Sequence, residues 1–132
     1  MLNSLKAISL GFTCIVLLGL LNQLIFIMAS VAYNYLLHSF PELIQWEQLF
    51  IYATGAICFF IVMASAGFIT AMASVKHSCI HSAIAALLGM SFSLYYSLQQ
   101  EIFTLFALLF VLIGLTFSLI GCHRWVKQSA AA

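Results

Sequence analysis

Seven charged residues cut this chain into four uncharged runs, and those runs decide what it can fold into. Lys6, Glu42, Glu47, Lys76, Glu101, Arg124 and Lys127 leave 7–41, 48–75, 77–100 and 102–123 without a single Asp, Glu, Lys or Arg. A helix crosses the hydrocarbon of a bilayer with about 20 apolar residues, and each run is long enough to do so. With 65% hydrophobic and 5% charged residues in 132, the chain lacks the charged surface of a soluble domain, which is roughly a quarter of its residues. The reading is an all-α polytopic membrane protein: one domain over 1–132 with four transmembrane helices, at about 7–32, 49–73, 83–98 and 102–122.

Polar and breaking residues refine those spans. Ser30-Val31-Ala32 after the basic Lys6 resembles a signal-peptidase site. The apolar stretch, however, exceeds the roughly 7–15 residues of such a signal and holds Asn22-Gln23 in its middle, so an uncleaved helix is expected. The only proline, Pro41, suits a first helical turn, and Glu42 sits near its positive end. An unbroken helix from there to Ser74 would be roughly 50 Å long, more than a bilayer core needs. Residues 41–48 are therefore expected along the interface, with Leu43, Ile44 and Trp46 towards lipid.

Charge sets orientation. In a four-helix arrangement Lys6, Lys76, Arg124 and Lys127 share one side, and Glu42, Glu47 and Glu101 the other. The excess of Lys and Arg marks the cytoplasmic side, which puts both termini inside. Tyr33, Tyr35, Tyr52, Tyr95 and Tyr96 then fall in the outer half, as an interfacial aromatic belt, with Trp125 at the inner face. Gly67, Ala71, Ser74, Lys76 and His77 are echoed at the same spacings by Gly114, Ser118, Gly121, His123 and Arg124. The two hairpins are thus read as parallel repeats.

Small residues recur at helical spacing on three segments. Helix two carries Ala53, Ala56, Ala64, Gly67, Ala71 and Ser74, interrupted by Phe60; helix three carries Ser82, Ala86, Gly89, Ser93 and Ser97; helix four carries Ala107, Gly114, Ser118 and Gly121. In lipid, where water exclusion does not drive helices together, such faces let backbones approach. A tight hairpin between the small faces of helices two and three is the expected pairing, with Gly67 at its centre.

The run Ala66-Gly67-Phe68-Ile69-Thr70-Ala71-Met72-Ala73, followed by His81-Ser82-Ala83, resembles a pattern of small uncharacterised four-helix bacterial membrane proteins. There a glycine pair and paired alanines precede a basic turn, and a histidine opens the next helix. Ala66 replaces the first glycine here, and Thr70-Ala71 replace the alanine pair. The resemblance covers about a fifth of the chain and implies a bacterial inner membrane, without an activity.

Chemistry-bearing residues are sparse. His77, His81 and His123, with Cys79 and Cys122, fall on the cytoplasmic side and are the candidate ligands for a transition metal. A solvated interfacial turn is the favoured reading, so neither metal nor other cofactor is expected. Cys14, Cys58, Cys79 and Cys122 belong to different segments without CxxC spacing, and paired cysteines for thiol oxidation are not visible. No acid or base within a span could couple transport to protons, and no nucleophile–base pair suggests an enzyme. With net charge +1 and no basic run, nucleic acid is not a partner. What remains is association: a non-enzymatic accessory, assembly or stabilising subunit bound to a membrane protein or to its own copies. The alternative is a small transporter or channel for a neutral or lipid-like solute, along Asn22, Gln23, Ser65, Thr70, Ser91 and Ser93.

Overall fold

A computed structural model describes residues 2–74, 77–98 and 105–131, and they form four α-helices and one short 3-10 helix with no strand among them. α1 spans Leu2–Ser39, α2 Glu47–Ala73, α3 Ser78–Leu98 and α4 Leu105–Ala131, while Pro41–Trp46 makes the 3-10 turn. Three helices, α1, α2 and α4, are long and apolar enough to cross a membrane; α3 contributes a shorter apolar stretch over Ser78–Phe92. Val75, Lys76 and 99–104, which hold part of the basic turn and the turn at Gln99-Gln100-Glu101, lie outside the described residues.

The helices overrun the apolar spans read from the sequence. α1 continues to Ser39, because no proline or glycine interrupts it after Gly19. α4 runs on through His123-Arg124-Trp125 to Ala131, where Lys, Gln and Ala are good helix formers outside the apolar window. α3 opens at Ser78 instead of near 83. Its first turn is set by His77, whose carbonyl accepts from the backbone N–H of Ile80 (3.0 Å) and His81 (3.1 Å). His77 has φ 57°, a left-handed conformation that a side chain disfavours, and it reverses the chain between α2 and α3.

At the other end, the backbone N–H of Phe40 closes α1 on the Leu36 carbonyl (2.9 Å), and that of Leu43 opens the 3-10 turn on the Phe40 carbonyl (3.1 Å). Pro41, which has no N–H to leave unpaired, starts this turn. The Tyr33 hydroxyl then donates to the Leu43 carbonyl (2.6 Å), and its ring stacks on Phe50 with centroids 4.5 Å apart. Tyr33 is buried by this clasp, unlike the exposed Tyr35, Tyr52 and Tyr95.

Side-chain partners give the directions of the helices. α1 runs opposite to α2, since Gly11 meets Thr70 at one end and Tyr33 meets Phe50 at the other. α3 runs opposite to α4, pairing Cys79 with Cys122 and Met90 with Gly114. α2 and α4 run the same way: Phe59 stacks on Phe110, Gly67 meets Ser118, and Phe68 packs edge-on to Trp125. α2 and α3 each touch all the other α-helices, whereas α1 and α4 make no contact among the described residues. The core forms where α2, α3 and α4 meet, around Met63, Ala86 and Met90 with Phe59, Val111, Leu115 and Phe117 packed about them.

The closest backbone approach is between α2 and α4, not within the α2–α3 hairpin that the small stripes predict. A methyl group at Gly67 would fall on the Ser118 carbonyl group, with its carbon 2.7 Å away; one at Gly121 would lie 2.9 Å from the Ala64 carbonyl carbon and 3.0 Å from the Phe68 nitrogen. α3 stands a side chain further off, because Ser82 reaches Gly67 through its hydroxyl. The seam occupies only the C-terminal half of the α2 stripe. Ala53 and Ala56 are exposed, and Phe60 is no interruption, since it stacks on Phe117 at 4.2 Å. Gly114 is also enclosed, but by side-chain ends: Phe59 Cζ at 3.0 Å, Met63 Cε at 3.3 Å and the Met90 sulfur.

That contrast makes a graded prediction. Gly67→Ala forces two backbones apart and should cost about 1–3 kcal/mol of stability, the usual range for overfilling a tight contact. Gly114→Ala should cost less, because methionine ends can move aside. Leu109, which is 45% exposed, is the control, and Leu109→Ala should cost least. Thermal unfolding of the three variants in one mild detergent checks the order, and equal losses at Gly67 and Leu109 would refute it.

Candidate functional site

Two levels of α2, α3 and α4 concentrate the polar side chains of the bundle. At the first, the Ser82 hydroxyl donates to the Gly67 carbonyl (3.0 Å), and the Ser118 hydroxyl donates to the Ser82 carbonyl (3.2 Å). Gly67, Ser82 and Ser118 are all buried. One helix from each side is thus tied through α3, in the place where Gly67 admits the Ser118 backbone. Hydrogen bonds between membrane helices contribute on average about 0.6 kcal/mol, with a measured maximum of about 1.7. Thr70, also buried, returns its hydroxyl to the Ala66 carbonyl (2.7 Å) within α2 and packs against Gly11 of α1.

One helical turn further along the same α3–α4 seam lie two thiols. Cys79 Sγ and Cys122 Sγ are 2.7 Å apart, the first exposed and the second fully buried. Beside them, Ser74 Oγ and His81 Nδ1 share a hydrogen bond of 2.6 Å. His77 and His123 are both exposed. These three histidines do not converge: among the described residues no three His, Cys, Asp or Glu side chains are grouped to hold a metal ion. Cys14 and Cys58 are half-buried and separate from the pair.

The remaining residues singled out from the sequence are dispersed. Ala64 and Ala71 lie on α2, the first against Gly121 and the second fully buried; Ala86 is in the core, and Gly89 receives Ile15 of α1, two of whose carbons are 2.8 Å from where a methyl would stand. Ser93 belongs to α3, and its side chain is outside what is described. Of the polar set, Asn22 and Ser65 share a crevice of about 140 Å³ between α1 and α2, walled by Leu18, Leu21, Ile25 and Val62. Thr70 is inside the bundle, whereas Gln23 and Ser91 are exposed on its outside. Asn22 Oδ1 is buried without a hydrogen-bond partner.

A larger groove of about 600 Å³ runs between α2 and α4, floored by Ala64 and Gly121, walled by Phe60, Phe68 and Phe117, and ending at Arg124. The same small residues that bring the helices together leave this groove on their outer side.

Neither a family model, nor a curated protein, nor a solved structure matches the chain. Its site is therefore defined by its own geometry. Sequence spacing misses Ser82 as a donor, and it puts Cys79 and Cys122 on one side, among the candidate metal ligands, without bringing their sulfurs into contact, because each feature depends on two helices meeting. The only signal for the thiols is that both sit at the same depth, each beside the basic end of its segment.

The serine tie can be measured. Ser82→Ala removes the donor to Gly67 but keeps the carbonyl that Ser118 uses, so the loss should be about 0.6–1.7 kcal/mol. Thr116→Val is the comparison, since Thr116 is exposed and bonds only to Leu112 of its own helix. Detergent unfolding should show a loss at Ser82 and almost none at Thr116.

Proposed function

We propose that this chain is a non-enzymatic, multi-pass protein of the bacterial inner membrane that works by association, as an accessory, assembly or stabilising subunit of a membrane complex or as a self-associating bundle. The supporting observation is the amide pair on α1. The apolar window of this helix is only 6% buried, and Gln23 is exposed on it between the outward-facing Leu20, Leu24 and Ile27. Its neighbour Asn22 has a buried carbonyl oxygen with no partner. A primary amide in hydrocarbon has no water to satisfy it, so a residue in this position gains by meeting a polar group on another helix. α1 has the most room for one, because its apolar window is less buried than the 33% of α2 and the 22% of α4.

The same proposal makes α3 the fourth crossing and places both termini in the cytoplasm. Alternating helix directions support it, as does the clustering of charge. Lys6, Arg124 and Lys127 lie at the end where the thiols are, and Glu42 and Glu47 lie at the end of the Tyr33 clasp. The positive-inside rule assigns the basic end to the cytoplasm.

A transporter or channel for a neutral or lipid-like solute is the second reading, favoured by the crevice that Asn22 and Ser65 share. Its test is flux in vesicles with Asn22 and Gln23 both changed to leucine: flux should vanish with the fold intact, and unchanged flux removes the idea.

Association is tested by native mass measurement of the full chain from mild detergent. Particles larger than one chain are expected, and Gln23→Leu should weaken association roughly 3- to 20-fold if one interhelical hydrogen bond is lost. A strictly monomeric, partner-free particle would overturn the proposal.

A further inference from the structure

We propose that Cys79 and Cys122 are a dithiol–disulfide couple, oxidised by a peroxide, whose closure staples the start of α3 to α4. The two sulfurs stand 2.7 Å apart. Reaching the ~2.05 Å of a disulfide takes a movement of under about 1 Å. Residues 43 apart in sequence are held there by the seam itself. Cys79 precedes Ser82 on α3, Cys122 follows Ser118 on α4, and the Ser118 hydroxyl bonded to the Ser82 carbonyl fixes the register between them. The couple does not depend on association through α1 or on the orientation of the chain in the membrane.

Exposure divides the roles. Cys79 is exposed and Cys122 is 0% exposed, so a peroxide meets Cys79 first. The Cys79 sulfur attacks one peroxide oxygen, and the O–O bond breaks. The other oxygen leaves as water or an alcohol carrying the thiol proton, and Cys79 becomes a sulfenic acid. The Cys122 sulfur then attacks Cys79 Sγ; the S–O bond breaks, and the hydroxyl departs as water with the Cys122 proton. In total two thiols lose two electrons and the peroxide gains them. A small thiol reductant reverses the step by exchange at the exposed sulfur of Cys79, where access is open. In a reducing compartment such a pair is a reversible sensor; in an oxidising one it stays closed.

Closure acts on the turn between α2 and α3. α3 begins one residue before Cys79, directly after the left-handed His77, and Ser74 is bonded to His81 across this turn. A covalent bond at Cys79 therefore ties the first turn of α3 to α4.

The test uses the full chain in mild detergent, treated with one equivalent of hydrogen peroxide, alkylated and digested. Expected are a mass lower by two hydrogen atoms, a linked peptide containing Cys79 and Cys122, and free, alkylated Cys14 and Cys58. The Tm should rise on oxidation and return with a thiol reductant. In Cys122→Ser, oxidation should stop at a sulfenic acid on Cys79 that a dione probe labels, and the rise in Tm should be lost. Recovery of both Cys79 and Cys122 as free thiols from the peroxide-treated wild-type chain would overturn the proposal. So would a linkage confined to Cys79 of two different chains.

Discussion

Everything at the centre of this bundle depends on a backbone meeting a backbone. The Ser118 carbonyl of α4 rests where Gly67 of α2 has no side chain, and the Ala64 carbonyl of α2 faces Gly121 of α4 in return. Dispersion falls off steeply with distance, so this approach maximises contact in a medium that offers no hydrophobic reward for association. The aromatic rows follow from it. With the backbones close at 67 and 121, Phe59, Phe60 and Phe68 are brought against Phe110, Phe117 and Trp125 along both sides of the crossing. Ser82 is buried against Gly67 for the same reason, because the missing side chain exposes the carbonyl that its hydroxyl needs.

How much of this could be read from the sequence depends on how local each feature is. The helical class follows from the four uncharged runs, since only a self-satisfied backbone suits hydrocarbon. The period of small residues around Gly67 is likewise a property of one segment. Which helix lies on that period is not, and α4 takes the place that helix three was expected to fill. Helix ends were misread where hydropathy and helix propensity part company: 33–39 and 123–131 are too polar for the apolar window, yet nothing in them stops a helix. Phe60 looked like a break in a stripe because its partner, Phe117, lies on another helix. Cys79 and Cys122 were placed on one side but not paired for that reason too, since their meeting is a consequence of the Ser82–Ser118 register.

α1 is held differently from the rest. Gly11 and Ile15 fix its N-terminal half to α2 and α3, and the Tyr33 clasp fixes its C-terminal end to the 3-10 turn and Phe50. Between those anchors the helix offers lipid a nearly continuous apolar face, broken by Gln23. The bundle therefore joins a three-helix core to a fourth helix that packs on α2 and α3 and leaves α4 untouched among the described residues. Its polar chemistry is divided in the same way, with hydrogen-bonded serines inside the core and, on the helix outside it, an Asn22 side-chain oxygen that has no partner.

The order in which a ribosome delivers these helices gives the Gly67 seam a meaning of its own. α2 and α3 leave the ribosome before α4, and the Ser82 hydroxyl can reach the Gly67 carbonyl as soon as both are in place. The nascent chain then carries a shallow trough along α2, lined by Ala64 and Gly67, and the Ser82 carbonyl has only its own helix's N–H as a donor. Only the last segment made supplies Ser118 and Gly121. A chain without α4 would keep that trough open to lipid, so the last helix made is the one that completes the packing of the first seam.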